Sequence, residues 1–211
     1  MAYCRVLSLI LGCALAGSSL AARLPATVPQ TVPDGYRCIA QAHQVPPEAL
    51  YSLALTESSA TFPRGERPWP WTINVAGRGY RYPTRLAAWQ ALQGFMRRTP
   101  LKHIDVGVAQ VNLGWNGGYF TSTWQAFDPY SNLSAAAEIL RRCWDNHPGS
   151  WLVATGCYHH PAGGRPAATY TATVTRKLGQ LQSSPVPAFS PASLPAPDST
   201  LVWSEPRSLF Q

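Results

Sequence analysis

A chain of 211 residues is long enough for one domain with a substantial core plus appendages, and 45% hydrophobic against 13% charged residues excludes wholesale disorder. The net charge of +7 resides in residues 23–182, which hold 15 Lys/Arg against 8 Asp/Glu, so the body of the protein favours polyanions such as acidic glycans or anionic lipid. The cations are scattered and no helix-turn-helix, zinc-finger or ribonucleoprotein pattern accompanies them, which argues against nucleic acid.

In chain order, "MAYCRVLSLILGCALAGSSLAARLP" opens with one Arg, an apolar run of about a dozen residues, and small residues before Ala21 and Ala22. Residues 1–22 read as a secretory signal peptide, and the apolar run is shorter than the about 20 residues a transmembrane helix needs. "ILGC" offers lipidation at Cys13 as the alternative, with Leu11 bulky for that role. Either route places the mature chain in the periplasm or outside the cell, with no transmembrane span.

Residues 23–34 read as a linker and 35–182 as a mainly α domain. "YRCIAQAHQV" is a short helix, and "PPEALYSLALTESS" is a second that Pro46 and Pro47 can start. "RPWPWTINVAGRGYRYP" breaks the helical pattern, and its aromatic and β-prone residues around "AGRG" predict a small β-hairpin. Thr84 caps the helix "TRLAAWQALQGFMRR". "HIDVGVAQVN" is short and apolar, and helices follow in "SNLSAAAEILRRCWDN", "SWLVATGCYHH" and "AATYTATVTRKLGQLQ". Residues 183–211, with six prolines, read as a disordered tail.

Glu57 is the residue that this pattern does not explain. Leu50, Leu53 and Ala54 lie at i, i+3 and i+4 of one helical face, and Glu57 at i+7 joins them. It could turn to solvent or pair with Arg64 or Arg67. If buried, its carboxyl loses hydration and its pKa rises, which suits a general acid working near neutral pH.

Setting aside Cys4 and Cys13 in the leader leaves Cys38, Cys143 and Cys157. Cys143 and Cys157 are the candidate disulfide if their helices are antiparallel neighbours joined by "DNHPGS", and an oxidising compartment permits the bond. The chain has no C-x-x-C or zinc spacing. His159 and His160 are adjacent and would diverge from a helix, so neither metal nor cofactor is expected.

Three ordered motifs carry a resemblance. Glu57 followed by Ser58 and Ser59 resembles the E-S motif of the soluble lytic transglycosylase family, within the lysozyme-like superfamily. "IDVGVAQVN" (residues 104–112) resembles the family's D-x-G-L-M-Q-I-N motif, and "GCYHHP" (156–161) falls where members carry a tyrosine-containing third motif. The resemblance spans about residues 35–178, and "PWPWTINVAGRGYRYPTRLAAWQAL" is similar to an insert found in one branch.

The resemblance implies a mainly α, lysozyme-like helical domain with a small β-hairpin insert. It implies cleavage of the MurNAc-β-1,4-GlcNAc bond of peptidoglycan without water, leaving 1,6-anhydroMurNAc ends, with Glu57 as the single acid/base. Gln110 and Asn112 would line the groove and bond the sugars. Ser58 or Ser59 would hold the Glu57 carboxyl or the substrate, Asn74 would shape the groove, and the Tyr158 hydroxyl would lie near Glu57 and the reacting sugar.

Asp105 is the rival second carboxylate, for which a structural role is favoured. Glu66 reads as solvated in a flexible loop. Val108 and Ala109 depart from the larger apolar residues of the motif, and "YHHP" replaces the commoner "YNAG", so His159 either donates a hydrogen bond or packs. Trp69, Trp71, Trp115 and Trp124 could stack on sugars. The partners implied are peptidoglycan glycan strands and, at family level, a secretion, conjugation or pilus complex for which the chain opens the wall locally. The alternatives are a muramidase-type hydrolase that uses water, or a non-catalytic peptidoglycan-binding assembly protein.

Overall fold

The structure, a computed structural model, describes residues 29–63 and 65–182. The leader assigned to residues 1–22 and the tail 183–211 lie outside the described residues. The described end of the expected linker belongs to the domain instead. Gln30 forms a parallel bridge to Leu181, Val32 is buried, and Pro33 precedes helix α1 (Asp34–Ala42). Ladder bonds and a buried valine anchor this segment to the core.

Helix α2 (Pro47–Ser58) is the centre of the molecule. Ala49 through Leu55 and Ser58 are all buried, so the apolar stripe read from the sequence is in fact a helix enclosed all round. It packs against α1 and against α5 (Pro129–Asn146), α6 (Trp151–His159) and α7 (Gly164–Leu178). Asp128 caps α5 by accepting from Ser131 N, and Pro129 takes the first helical position, where a missing N–H does no harm. Cys143 of α5 and Cys157 of α6 form a disulfide, and Cys38 is an exposed thiol.

A second core forms where β3 (Thr72–Val75), β4 (Arg78–Arg81), β5 (Ile104–Val106) and β6 (Val111–Asn112) meet α3 (Arg85–Met96). The antiparallel sheet runs β4-β3-β5-β6. Its β3–β4 turn is Ala76-Gly77, both at positive φ (50° and 87°), which matches the twist of a two-residue hairpin. Thr84 caps α3 through a bond from Ala87 N.

A further hairpin, β1 (Ser59–Phe62) with β2 (Gly65–Pro68), lies where the sequence reading places a flexible loop. Glu66 sits on β2 and forms an ion pair with Lys177 of α7, whose side chain is mostly buried. Helix α4 (Leu113–Asn116) completes seven helices among the described residues, and the domain is mainly α. No helix among the described residues is long and apolar enough to cross a membrane.

Candidate functional site

Because α2 is enclosed, its last turn delivers side chains into protein rather than water. Glu57, the penultimate residue, is half-buried, and its Oε1 accepts a hydrogen bond from the Tyr170 hydroxyl at 2.7 Å. Burial is the main force on the carboxyl and pushes its pKa up to about 8. The Tyr170 bond pulls it down, and the negative charge of Asp105 pushes it up further. Of the two ionic partners considered from the sequence, Arg67 does not pair with Glu57. Glu57 forms no ion pair among the described residues, Arg67 donates to the Glu66 carbonyl, and Arg64 lies outside them.

Asp105 lies on β5, and Asn112 Nδ2 donates to its Oδ1 at 2.7 Å. Burial raises the Asp105 pKa, while the Asn112 bond and His103 lower it. Two half-buried carboxyls with different partners therefore share one electrostatic neighbourhood.

The turn between β5 and β6, residues 107–110, is held from three helices. Ser58 of α2 donates to Val108 O at 2.6 Å, and Tyr158 of α6 donates to Ala109 O at 2.8 Å. Asn132 of α5 accepts from Ala109 N at 2.9 Å and donates to Val106 O and Ala126 O. Small residues at 108 and 109, both fully buried, allow this approach.

These bonds revise several roles expected from the sequence. Ser58 is fully buried, with its hydroxyl held by backbone carbonyls, so it reaches neither the Glu57 carboxyl nor a substrate. Ser59, the first residue of β1, turns its hydroxyl back to Leu55 O in the last turn of α2. Asn74 bonds Gly77 N at 2.9 Å and shapes the β3–β4 turn. Asn112 bonds Asp105 and Lys102 O through its Nδ2, and caps α4 through its Oδ1. Gln110, at φ 49°, donates to Thr72 O and Gly107 O, and its Oε1 accepts nothing among the described residues. Tyr158 shares the neighbourhood of Glu57, since burial first, then the Glu57 and Asp105 charges, raise its pKa well above the ordinary range.

Tyr170 is the site residue that sequence reading missed. It sits on α7, 113 positions from the carboxyl it holds, inside a helix whose threonines and alanines mark no function. His159, itself exposed, stacks on its ring at 4.4 Å between centroids and 5° between planes. Beside them opens a cavity of about 470 Å³, lined by Thr56, His159, Arg165, Thr169, Tyr170 and Thr173. Of the four tryptophans considered for stacking, Trp69 and Trp71 are core, whereas Trp115 and Trp124 are exposed. No group of three His, Cys, Asp or Glu among the described residues is arranged to hold a metal ion.

Removing the Tyr170 hydroxyl tests this geometry without reference to any reaction. In Tyr170→Phe the one bond that favours the Glu57 anion is lost, so its midpoint moves further up. Carboxyl-carbon NMR of labelled glutamate reads the shift. An unchanged or lower midpoint would mean that the hydroxyl does not serve the carboxylate.

No protein-family model matches the chain significantly, nor does any curated protein or solved structure.

Proposed function

We propose that the chain is a peptidoglycan lytic transglycosylase of lysozyme-like fold, acting in the bacterial cell envelope with Glu57 as its only acid/base. The observation that carries this reading is the half-buried Glu57 carboxyl, whose pKa of about 8 keeps it protonated at neutral pH, held by a tyrosine at the end of an enclosed helix. The order of the three motifs supports it. So does their convergence: Glu57, Tyr158 and the turn carrying Gln110 belong to one hydrogen-bonded and electrostatic unit.

In this scheme the Glu57 carboxyl donates its proton to the glycosidic oxygen as the bond from that oxygen to the muramyl anomeric carbon breaks. The Glu57 carboxylate then takes the proton of the muramyl 6-hydroxyl while its oxygen bonds to the anomeric carbon, closing the 1,6-anhydro ring. Attack from within the same sugar needs no activated water, so a second catalytic carboxylate is dispensable. Asp105, bonded to Asn112, then serves to keep Glu57 protonated rather than to attack. The unengaged Oε1 of Gln110 is an acceptor for an N-acetyl N–H. The substrate is the glycan strand, and local wall opening for an envelope-spanning apparatus is the role proposed for it.

Hydrolysis is the second reading, favoured by the electrostatic contact between Asp105 and Glu57. Mass spectrometry of the muropeptides released from purified sacculi decides between them. Anhydromuramyl ends released by the parent and absent with Glu57→Gln are expected. Reducing ends would instead make the chain a hydrolase, and no release by the parent would leave a peptidoglycan-binding assembly protein.

A further inference from the structure

The stretch from Ala76 to Trp124 contributes Asp105, Gln110 and Asn112 to the site, and also carries exposed charge and apolar surface beyond them. It holds six Lys/Arg (residues 78, 81, 85, 97, 98 and 102) against a single acid, Asp105, and so supplies +5 of the chain's +7. That acid is half-buried and bonded to Asn112. Four of the five large hydrophobic side chains exposed among the described residues lie in the same stretch: Leu86 (51%), Leu101 (44%), Trp115 (78%) and Trp124 (39%). Excess cation and exposed apolar surface therefore coincide on one segment.

The same stretch contains an apolar groove whose lining residues are sequence neighbours of three of these cations. A groove of about 330 Å³ is lined by Met96, Leu101, Leu113, Trp115 and Phe120, with Thr123 at its edge, next in sequence to Trp124. Arg97 and Arg98 follow Met96 directly, and Lys102 follows Leu101. Gly114 packs against the Lys102 backbone, where a Cβ would stand 2.4 Å from its nitrogen. Arg97 and Arg98 fold towards the same open point above Gly94, each with a guanidinium nitrogen within 4 Å of where a Cβ would be. No carboxylate of the described residues lies within ion-pair distance of Arg97, Arg98 or Lys102. Two like charges crowded together without a counter-charge favour an external anion.

We infer that this face docks on an anionic lipid bilayer, with Arg97, Arg98 and Lys102 on headgroup phosphates and Trp115 and Leu101 in the interfacial layer. None of the groove's lining residues carries a carboxylate or carboxamide, the groups that bond sugar hydroxyls in a glycan site. Exposed leucines beside a tryptophan and guanidinium groups match the chemistry of a headgroup boundary. With no membrane-crossing helix among the described residues, the chain would lie on the surface through this face. The inference does not depend on the transglycosylase reading. If both hold, cutting is confined to glycan within reach of the membrane.

Vesicle co-sedimentation of the full chain tests it, using phosphatidylcholine alone and phosphatidylcholine mixed with phosphatidylglycerol. All arms use the same chain, so a contribution from the apolar N-terminus is common to them. Adding phosphatidylglycerol is expected to strengthen binding, and salt to weaken it. The affinity for mixed vesicles is expected to fall about tenfold or more in Arg97→Glu/Arg98→Glu and about fivefold in Trp115→Ala. Thermal melts matching the parent would show that the variants are folded. No gain from phosphatidylglycerol, or an affinity that neither variant lowers, overturns the inference. Binding to sacculi, or self-association, that Trp115→Ala abolishes while lipid binding is unaffected would overturn it in favour of a glycan or a second copy.

Discussion

Glu57→Gln is expected to stabilise the folded chain by about 3 kcal/mol at pH 7, rising to about 4 kcal/mol at pH 8, and to leave it nearly unchanged below pH 4.5. The sign follows from the raised pKa. Between the ordinary glutamate value of 4.5 and about 8, the folded protein keeps a proton on Glu57 that the unfolded chain has released. Stability tied to that proton is fully present below pH 4.5 and is lost as pH rises to about 8. Glutamine keeps the shape and can still accept the Tyr170 bond, but has no proton to lose. Urea unfolding of both proteins across this range measures the difference, which cancels the titration of other groups except Asp105, coupled to Glu57. Parallel profiles would mean that Glu57 titrates near its ordinary value, and the proposed acid would then be ionised when it had to donate. If the proposed function holds, the substitution that abolishes it also relieves a cost that the fold carries for it.

What the sequence made legible was local. The Ala76-Gly77 turn, the Thr84 cap and the helix it starts depend on residues within a few positions. The disulfide falls in the same class, since its cysteines are 14 residues apart on two consecutive helices. What stayed hidden was assembled from distant parts. Tyr170 gains meaning only when α7 lands against the end of α2, and Glu66 becomes an ion-pair partner only when Lys177, 111 residues away, arrives beside β2. The β1–β2 hairpin was missed because its four-residue strands hold a proline and two charges, and "SATF" shows no strong alternation. Ser58 illustrates the opposite error. A hydroxyl next to a candidate acid invites a role in the groove, yet a buried hydroxyl must find a partner, and the Val108 carbonyl lies closer. The motif around Gln110 is therefore in large part an architectural device, and its polar residues outside the groove hold the turn in place.

Asn132→Ala is expected to destabilise the chain by about 3 kcal/mol, because removing this fully buried side chain leaves the Ala109 N–H and the Ala126 carbonyl without partners and the Val106 carbonyl with only its pairing to β6. The Ala109 N–H and the carbonyls of Val106 and Ala126 are all bonded to it, and water has no access at full burial. Gly107 explains why this carboxamide fits so closely. Its φ of 86° disfavours any side chain, and a Cβ there would stand 2.2 Å from Asn132 Nδ2. Gly107→Ala in the parent therefore meets both backbone strain and a collision, whereas in Asn132→Ala the collision is gone and only the strain, on the order of 1–2 kcal/mol, remains. A double-mutant cycle measured by denaturant unfolding should give a combined loss smaller than the sum of the two single losses. Additive losses would mean that the glycine and the asparagine act independently, and that the turn is not held by their contact. The consequence for Glu57 runs through the same turn, since Ser58 and Tyr158 reach it at Val108 and Ala109. Loosening α5 from the turn frees the β5–β6 loop on one side, and the Glu57 carboxyl at the end of α2 loses part of what fixes its position, which the proposed chemistry requires.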